Sequence, residues 1–256
     1  MQAIILAGGL GTRMREETEF RPKPMVEIGG RPVIWHIMKH LSTYGITDFI
    51  VAVGYKGNMI RDYFLNYETQ ASDFTVTLGK RDSLVVHGPH DESDWRVTVV
   101  ETGLTSGTGE RVRRAARYVT GPEGLIVYGD TLADVDVRAL SDLHEAGGSD
   151  VTVTAVQPQS RFGILELGDG SRVESFSEKP QVDGWVNIGY MLMTDDFLRR
   201  IPADSTLEAE PLAAAAQSGR MQARRHEGYW QPMDTYREFV ELNRLWDEGR
   251  PPWKTW

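Results

Sequence analysis

AIILAGGLGTRMREETEFRPKPMVE, residues Ala3 to Glu27, opens as a strand and continues as a loop. Ala3–Ala7 is a short, unbroken apolar run, the pattern of a strand buried on both faces of a parallel sheet. Gly8-Gly9-Leu10-Gly11-Thr12-Arg13 follows at once, so no helix starts at the strand end and a bare backbone loop leaves it. Glycines at 8, 9 and 11 let amide N–H groups approach an anion with no Cβ in the way, and Arg13 adds a forked cation that matches phosphate oxygens. Further on, Lys23 stands between Pro22 and Pro24, whose fixed φ holds its ammonium on a stiffened loop. The stretch reads as a phosphate cradle with two cations.

Two familiar phosphate loops fail on their own terms. A dinucleotide loop needs G-x-G-x-x-G opening a helix and an acidic residue closing the second strand, but the second apolar run, Asp48–Val53, ends in Gly54-Tyr55. A P-loop needs Lys-Ser/Thr after its last glycine, and Gly11 is followed by Thr12-Arg13. A tight turn with no ligand stays open for the glycines alone; the Arg13–Lys23 spacing argues against it.

The stretch resembles the signature of the sugar-1-phosphate nucleotidyltransferases, and the whole chain is similar to that family's glucose-1-phosphate cytidylyltransferase branch. The likeness rests on KPMVEIGGRPVIWHIMKH (23–40), GYKG (54–57), GERVRR (109–114), SEKP (177–180), WQPMDT (230–235) and PPWKTW (251–256). It implies an α/β fold, a Rossmann-like, mostly parallel mixed sheet flanked by helices, with a small β-rich sugar-binding lobe. The chain is expected to be one domain over 1–256: a nucleotide-binding half to about 136, a sugar-binding half over 137–233, and a C-terminal helix and tail over 234–256. The implied reaction joins CTP to α-D-glucose 1-phosphate, giving CDP-glucose and pyrophosphate with Mg²⁺.

Composition sets the outer bounds. The chain has 256 residues, 40% hydrophobic and 25% charged, enough for one sizeable α/β core. A net charge of −9 and a pI near 5.2 argue against a nucleic-acid surface, so substrate phosphates must be met by local cations. With no cysteine, neither a disulfide framework nor thiolate chemistry is available. The N-terminal run is a core strand rather than a signal peptide, and no run of eighteen apolar residues occurs, so a cytoplasmic protein with no membrane partner is expected.

Gly29-Gly30-Arg31-Pro32 reads as a turn with Pro32 at the first helical position of a helix over 33–44. His36 and His40 on that helix have a metal-like spacing but no third ligand in view, and are read as surface or boundary residues. A second helix is expected near 58–67. Between about 70 and 100 short strands (74–78, 83–87, 96–101), split by HGPHDESD (87–94), read as an inserted excursion carrying a surface hairpin with one buried Trp95. The loop 102–108 then leads into a helix whose N-terminus can hold an anion. In the resemblance Arg111 faces the nucleotide; Arg113 and Arg114 read as solvated.

The apolar run 124–128 ends in Gly129-Asp130. Ligands gather at the carboxyl ends of parallel strands, and a carboxylate among phosphates calls for a divalent cation. Asp130 alone is equally a turn residue; Asp134 and Asp136 read as loop and helix cap. Farther on, Arg161-Phe162-Gly163 precedes a hairpin of strands 164–167 and 173–177, Gly163 being able to bring an amide to a sugar hydroxyl. Glu178-Lys179-Pro180 follows. In the strand 185–193, Asn187 needs partners, either neighbouring backbone or a hexose hydroxyl. Helices near 195–201 and 207–218 and a strand 221–226 come next, and Asp234 reads as the N-cap of a helix 236–248. Two tryptophans in PPWKTW should dock on this subunit or a neighbour.

Carried over residue by residue, the resemblance makes Arg13, Lys23, Asp130 and Asp234 catalytic, with Mg²⁺ on Asp130 and Asp234. Leu6, Gly8, Gly9, Gly11, Thr12, Arg13, Lys23, Thr102, Thr108 and Arg111 would hold the nucleotide, and Gly163, Glu178, Lys179 and Asn187 the sugar phosphate. A homo-oligomer, trimer or hexamer, is implied too. Gly107, Glu110, Thr131, Ile164 and Ile188 depart from the branch's usual residues, Gly107 and Glu110 on the base and ribose side. Gly107, Glu110, Ile164 and Ile188 keep open another nucleotide or a modified hexose or heptose 1-phosphate, and a domain that binds nucleotide-sugars without turnover is a further alternative.

Overall fold

The computed structural model describes residues 1–256 apart from Arg81, Asp82, Pro89, Arg161 and the side chain of Arg15. Arg161 of the Arg-Phe-Gly step and Pro89 of the polar stretch 87–94 therefore lie outside the described residues.

Seven strands form the central sheet: β1 (Gln2–Ala7), β2 (Asp48–Val53), β3 (Arg96–Glu101), β4 (Glu123–Tyr128), β5 (Val151–Val156), β6 (Val186–Thr194) and β7 (Met221–Arg225), in the order β7-β5-β6-β4-β1-β2-β3. β6 runs antiparallel to both neighbours, and every other pairing is parallel. The carboxyl ends of β1 and β4 and the start of β6 thus share one edge. β1 lies at the centre for the reason its apolar run suggests: Ile4 belongs to the core cluster on one face and Ile5 to that on the other.

Helices cover both faces: α1 (Val33–Ser42), α2 (Gly57–Leu65), α3 (Thr108–Ala115), α4 (Val137–Gly147) and α5 (Tyr236–Asp247). On α1, Ile34, Ile37, Met38 and Leu41 recur at helical spacing and pack in the same cluster as Ile5 and Phe49. Val112 and Ala115 of α3 pack with Ile4 and Ile50 on the other face.

Several expectations are corrected. Pro32 is the N-cap of α1, held extended by a bridge to Glu27, and α1 ends at Ser42. His36 and His40 are fully buried rather than at the surface. His36 Nε2 meets the Ile28 carbonyl at 2.9 Å, and Trp253 Nε1 donates to His36 Nδ1 at 3.4 Å. His40 bonds the Val135 carbonyl and the Thr255 hydroxyl at 3.0 and 2.9 Å. The terminal segment therefore docks on its own chain. Arg96–Glu101 is an edge strand of the main sheet, not part of an excursion; only Asp73–Thr75 and Val85–His87 pair as a separate ribbon. The helix expected over 207–218 is shortened to Pro211–Gln217, because Ser205 and Leu207 are buried in a loop bonded to the start of α3.

Strands Ile164–Leu167 and Val173–Ser177 pair with each other as an exposed arm. Its base is closed by Ser160 N donating to Pro180 O and Val182 N to Pro158 O.

Candidate active site

A cavity of about 830 Å³ opens at the edge where β1, β4 and the start of β6 meet. Its floor holds a three-member charge cluster. Lys23 Nζ donates to Asp130 Oδ2 and to Asp234 Oδ1, each at 2.7 Å. Pro22 caps the short 3₁₀ turn Lys23–Met25 and Pro24 lies within it, so the two prolines flank Lys23. Burial disfavours the ammonium, but the two carboxylates outweigh it and hold its pKa above the ordinary lysine value.

Asp130 and Asp234 meet through a short antiparallel ladder, Thr131–Ala133 against Trp230–Pro232, whose register pairs Pro232 with Thr131. Met233 N donates to the Asp130 carbonyl at 2.9 Å and closes the ladder beside both carboxylates. Asp234 is not the N-cap of α5. Thr235 takes that place in a capping box with Glu238, whose carboxylate accepts from the amides of Asp234 and Thr235 at 2.6 and 2.8 Å. The Asp234 side chain is directed instead at Lys23 and at Arg13 Nη1, 3.0 Å away. Arg13 itself is largely exposed.

The glycine loop forms one wall. At Gly8 a Cβ would stand 2.1 Å from Arg111 Nη1, so only glycine lets this buried guanidinium lie against the loop. Arg111 lines the cavity but spends its donors on the Thr102 hydroxyl (2.6 Å) and on the carbonyls of Gly103 (2.8 Å) and Leu104 (3.2 Å). It holds the 102–104 segment against the glycine loop.

Of the expected site residues, Leu6, Gly8, Gly9, Gly11, Thr12, Arg13, Lys23, Thr108, Arg111, Asp130, Asn187 and Asp234 line this cavity. Asn187 reaches it because β6 is antiparallel and starts at this edge; its Oδ1 accepts from Gly189 N at 3.0 Å. Thr102 does not line it: fully buried, it donates to the Val53 carbonyl and supports Arg111 from behind. Gly163, Glu178 and Lys179 do not reach it either, since they lie on the arm, where Lys179 pairs with Glu178 at 3.7 Å. Of the two departures placed on the base and ribose side, Gly107 lines the cavity but Glu110 does not. Glu110 is turned inward and holds Arg113 and Arg114 at 2.6 Å, which drives its pKa down to about 2. Those arginines are therefore paired rather than simply solvated. Ile188 lines the cavity, whereas Ile164 is on the exposed arm.

Tyr128, Glu208 and Trp230 also line the cavity and were not foreseen. Tyr128 ends the strand that delivers Asp130, and Trp230 opens the WQPMDT motif that delivers Asp234, so both had a signal. Among the described residues the Trp230 indole N–H is enclosed without a hydrogen-bond partner.

The donor set suits a hard divalent cation. Two carboxylates converge on a common point, now marked by Lys23 Nζ, and such a cation takes one or two carboxylates plus substrate oxygens.

A profile of the nucleotidyl transferase family matches residues 2–246. The chain belongs to that family. It is 49% identical over 259 residues to the glucose-1-phosphate cytidylyltransferase of Salmonella typhimurium, covering the whole of both chains. It is 38% identical over 258 residues to the probable glucose-1-phosphate cytidylyltransferase of Bacillus subtilis, again covering both entirely. Among solved structures it resembles HddC from Yersinia pseudotuberculosis, with a TM-score of 0.70 at 22% identity over 96% of this chain and 99% of that one, a likeness of fold. Nucleotidyltransferases of this kind generally use a divalent metal. Among the described residues no helix is long and apolar enough to cross a membrane.

Proposed function

We propose that this chain transfers a cytidylyl group from CTP to α-D-glucose 1-phosphate, giving CDP-glucose and pyrophosphate, in the cytoplasm. The observation that carries the reading is the Asp130–Lys23–Asp234 cluster beneath the glycine loop, in a chain similar from end to end to proteins of that name.

A sugar phosphate is already an anionic nucleophile at neutral pH, so no general base or covalent intermediate is required. Positioning and charge neutralisation carry the catalysis. The phosphate oxygen attacks the α-phosphorus in line as pyrophosphate leaves. The amides of Gly8 to Gly11 hold the nucleotide, Lys23 meets the α-phosphate, and the exposed fork of Arg13 steadies the departing pyrophosphate. Asp130 and Asp234 would hold the divalent metal, Mg²⁺ by resemblance, which when bound supplies further neutralisation of phosphate charge. Asn187 lies on the side assigned to the sugar. Lys179 can grip the sugar phosphate only if the arm swings inward or a second copy of the chain presents it. A homo-oligomer is supported by the apolar surface of the arm, where Phe162 and Phe176 are 78% and 62% exposed. The nucleotide-binding half to about 136 and the sugar-binding half over 137–233 would meet across this cavity.

Pyrophosphate release with Mg²⁺, crossing CTP, UTP, dTTP, GTP and ATP against hexose and heptose 1-phosphates, tests the reading. Release is expected with CTP and glucose 1-phosphate. Release with another pair would favour the second reading, a different nucleotide or modified sugar, which Gly107 and Ile188 in the cavity wall support. Binding without release from any pair would point to a non-catalytic domain.

A further inference from the structure

The cavity contains a third carboxylate to which the proposed reaction gives no task. Glu208 stands at the rim, its Oε1 accepting from the Tyr128 hydroxyl and its Oε2 from Thr108 Oγ1 at 2.5 Å. Other bonds fasten its segment: Leu207 N donates to Thr108 Oγ1 (3.0 Å), Glu110 N to Ser205 O (3.1 Å) and Asp204 N to Glu110 Oε2 (3.2 Å). Tyr128 is equally fixed. Its ring lies on Gly189, where a Cβ would come within 2.4 Å of the ring, at a φ of +84° that favours glycine.

A carboxylate directed into a phosphate cavity repels phosphate unless a cation screens it, and what it attracts is an O–H or N–H donor. With about four lone-pair sites on its two oxygens, Glu208 has room for two more donors beyond Tyr128 and Thr108. It sits between the first residue of α3, on the side assigned to the nucleotide, and a tyrosine packed on the Asn187–Gly189 turn of β6. Both ligand parts nearby are polyols.

We propose that Glu208 accepts hydrogen bonds from a vicinal diol of the substrate, the 2′,3′-diol of the ribose or the 2,3-diol of the hexose, and is thereby a specificity-determining residue. This rests on the nucleotidyl-transfer reading above. One hydrogen bond to a charged acceptor changes a binding or rate ratio on the order of 10- to 100-fold, and that is the discrimination the carboxylate supplies.

The test compares wild type with Glu208→Gln, using CTP against 2′-deoxy-CTP and glucose 1-phosphate against 2-deoxyglucose 1-phosphate. Both kcat/KM and the binding isotherm of each compound are measured. Wild type should favour the intact compound of one pair by about 10- to 100-fold, and the variant should bring that ratio to within a few fold of unity while melting with wild type. The pair that responds identifies the ribose or the hexose. The proposal is overturned if both ratios are the same in the two proteins, or if only the CTP-to-UTP ratio moves, which would make Glu208 a base contact. Binding ratios separate this from the reaction itself: a chain that binds these compounds but turns none over refutes the proposed reaction, while the diol contact still stands or falls on its own ratio.

Discussion

Replacing Lys23 by methionine keeps most of the side-chain volume and removes the charge that joins Asp130 to Asp234. At 2.7 Å and an effective dielectric near 20, each pair contributes roughly 6 kcal/mol of gross attraction, set against the desolvation of the ammonium of a lysine that is only 9% exposed. Removing one partner of a buried ion pair costs about 3–5 kcal/mol. Here the stranded carboxylates retain some water, their side chains being 34% and 22% exposed, so a loss of about 2–3 kcal/mol is expected. For a chain of this size that is a Tm lowered by roughly 5–10 °C. Turnover should suffer more, by about 100- to 1000-fold in kcat measured well below Tm, the scale of a lost fixed charge at a reacting phosphate. The pH dependence has a definite sign. Burial works against the Lys23 ammonium, but its carboxylate partners raise its pKa above 10.5; its stabilisation is complete below 10.5 and is lost as pH rises through the raised value. The Tm gap between wild type and Lys23→Met should therefore narrow above that pH. A variant within about 2 °C of wild type in Tm and within about tenfold in kcat would refute the reasoning.

The glycine loop and the terminal segment offer two further checks. A Cβ at Gly8 would lie 2.1 Å from Arg111 Nη1, and that guanidinium is held by three oxygens, so Gly8→Ala should cost about 2–3 kcal/mol in chemical denaturation. Gly9 has nothing within 4 Å of its Cβ position, so Gly9→Ala should change stability by less than about 0.5 kcal/mol; equal effects at both positions would disprove the close approach of Arg111. Trp253 is 1% exposed against His36 and Tyr229, and Trp253→Ala should cost about 3–5 kcal/mol and open the C-terminus to proteolysis, whereas a loss under about 1 kcal/mol would mean that the segment is not docked.

The centre of the sheet was legible because β1 and β4 are continuous apolar runs, which a strand buried on both faces requires. β3 was legible as a strand but not as part of this sheet. Its residues pack on both cores, but as an edge strand split from β2 by more than forty residues it carries no local mark of the strand it pairs with, and its sequence reads like that of the neighbouring hairpin. His36 and His40 show a harder limit. Four-residue spacing fixes a helix face but not what covers it, and here the cover is Trp253 and Thr255 at the far end of the chain. Asp234 was misread although the signal is local: Thr235 and Glu238 have capping-box spacing, Thr235 Oγ1 accepting from Glu238 N and the Glu238 carboxylate from Thr235 N, which leaves the Asp234 side chain for the cavity.

The expected site residues carried by loops at strand ends line the cavity, and those on the arm do not, because pairing within a hairpin says nothing of where the hairpin points. Electrostatics then orders what the sequence left unassigned. In a chain of net charge −9, three carboxylates line the cavity proposed to take the substrate phosphates. Asp130 and Asp234 have Lys23 between them, so on the proposed reading phosphates belong on that side. Glu208 is met by two hydroxyls and would repel a phosphate placed against it, so the same reading puts the neutral, hydroxyl-bearing parts of the substrates on its side. On that reading the partners of the three carboxylates set the direction in which a nucleotide and a sugar phosphate lie.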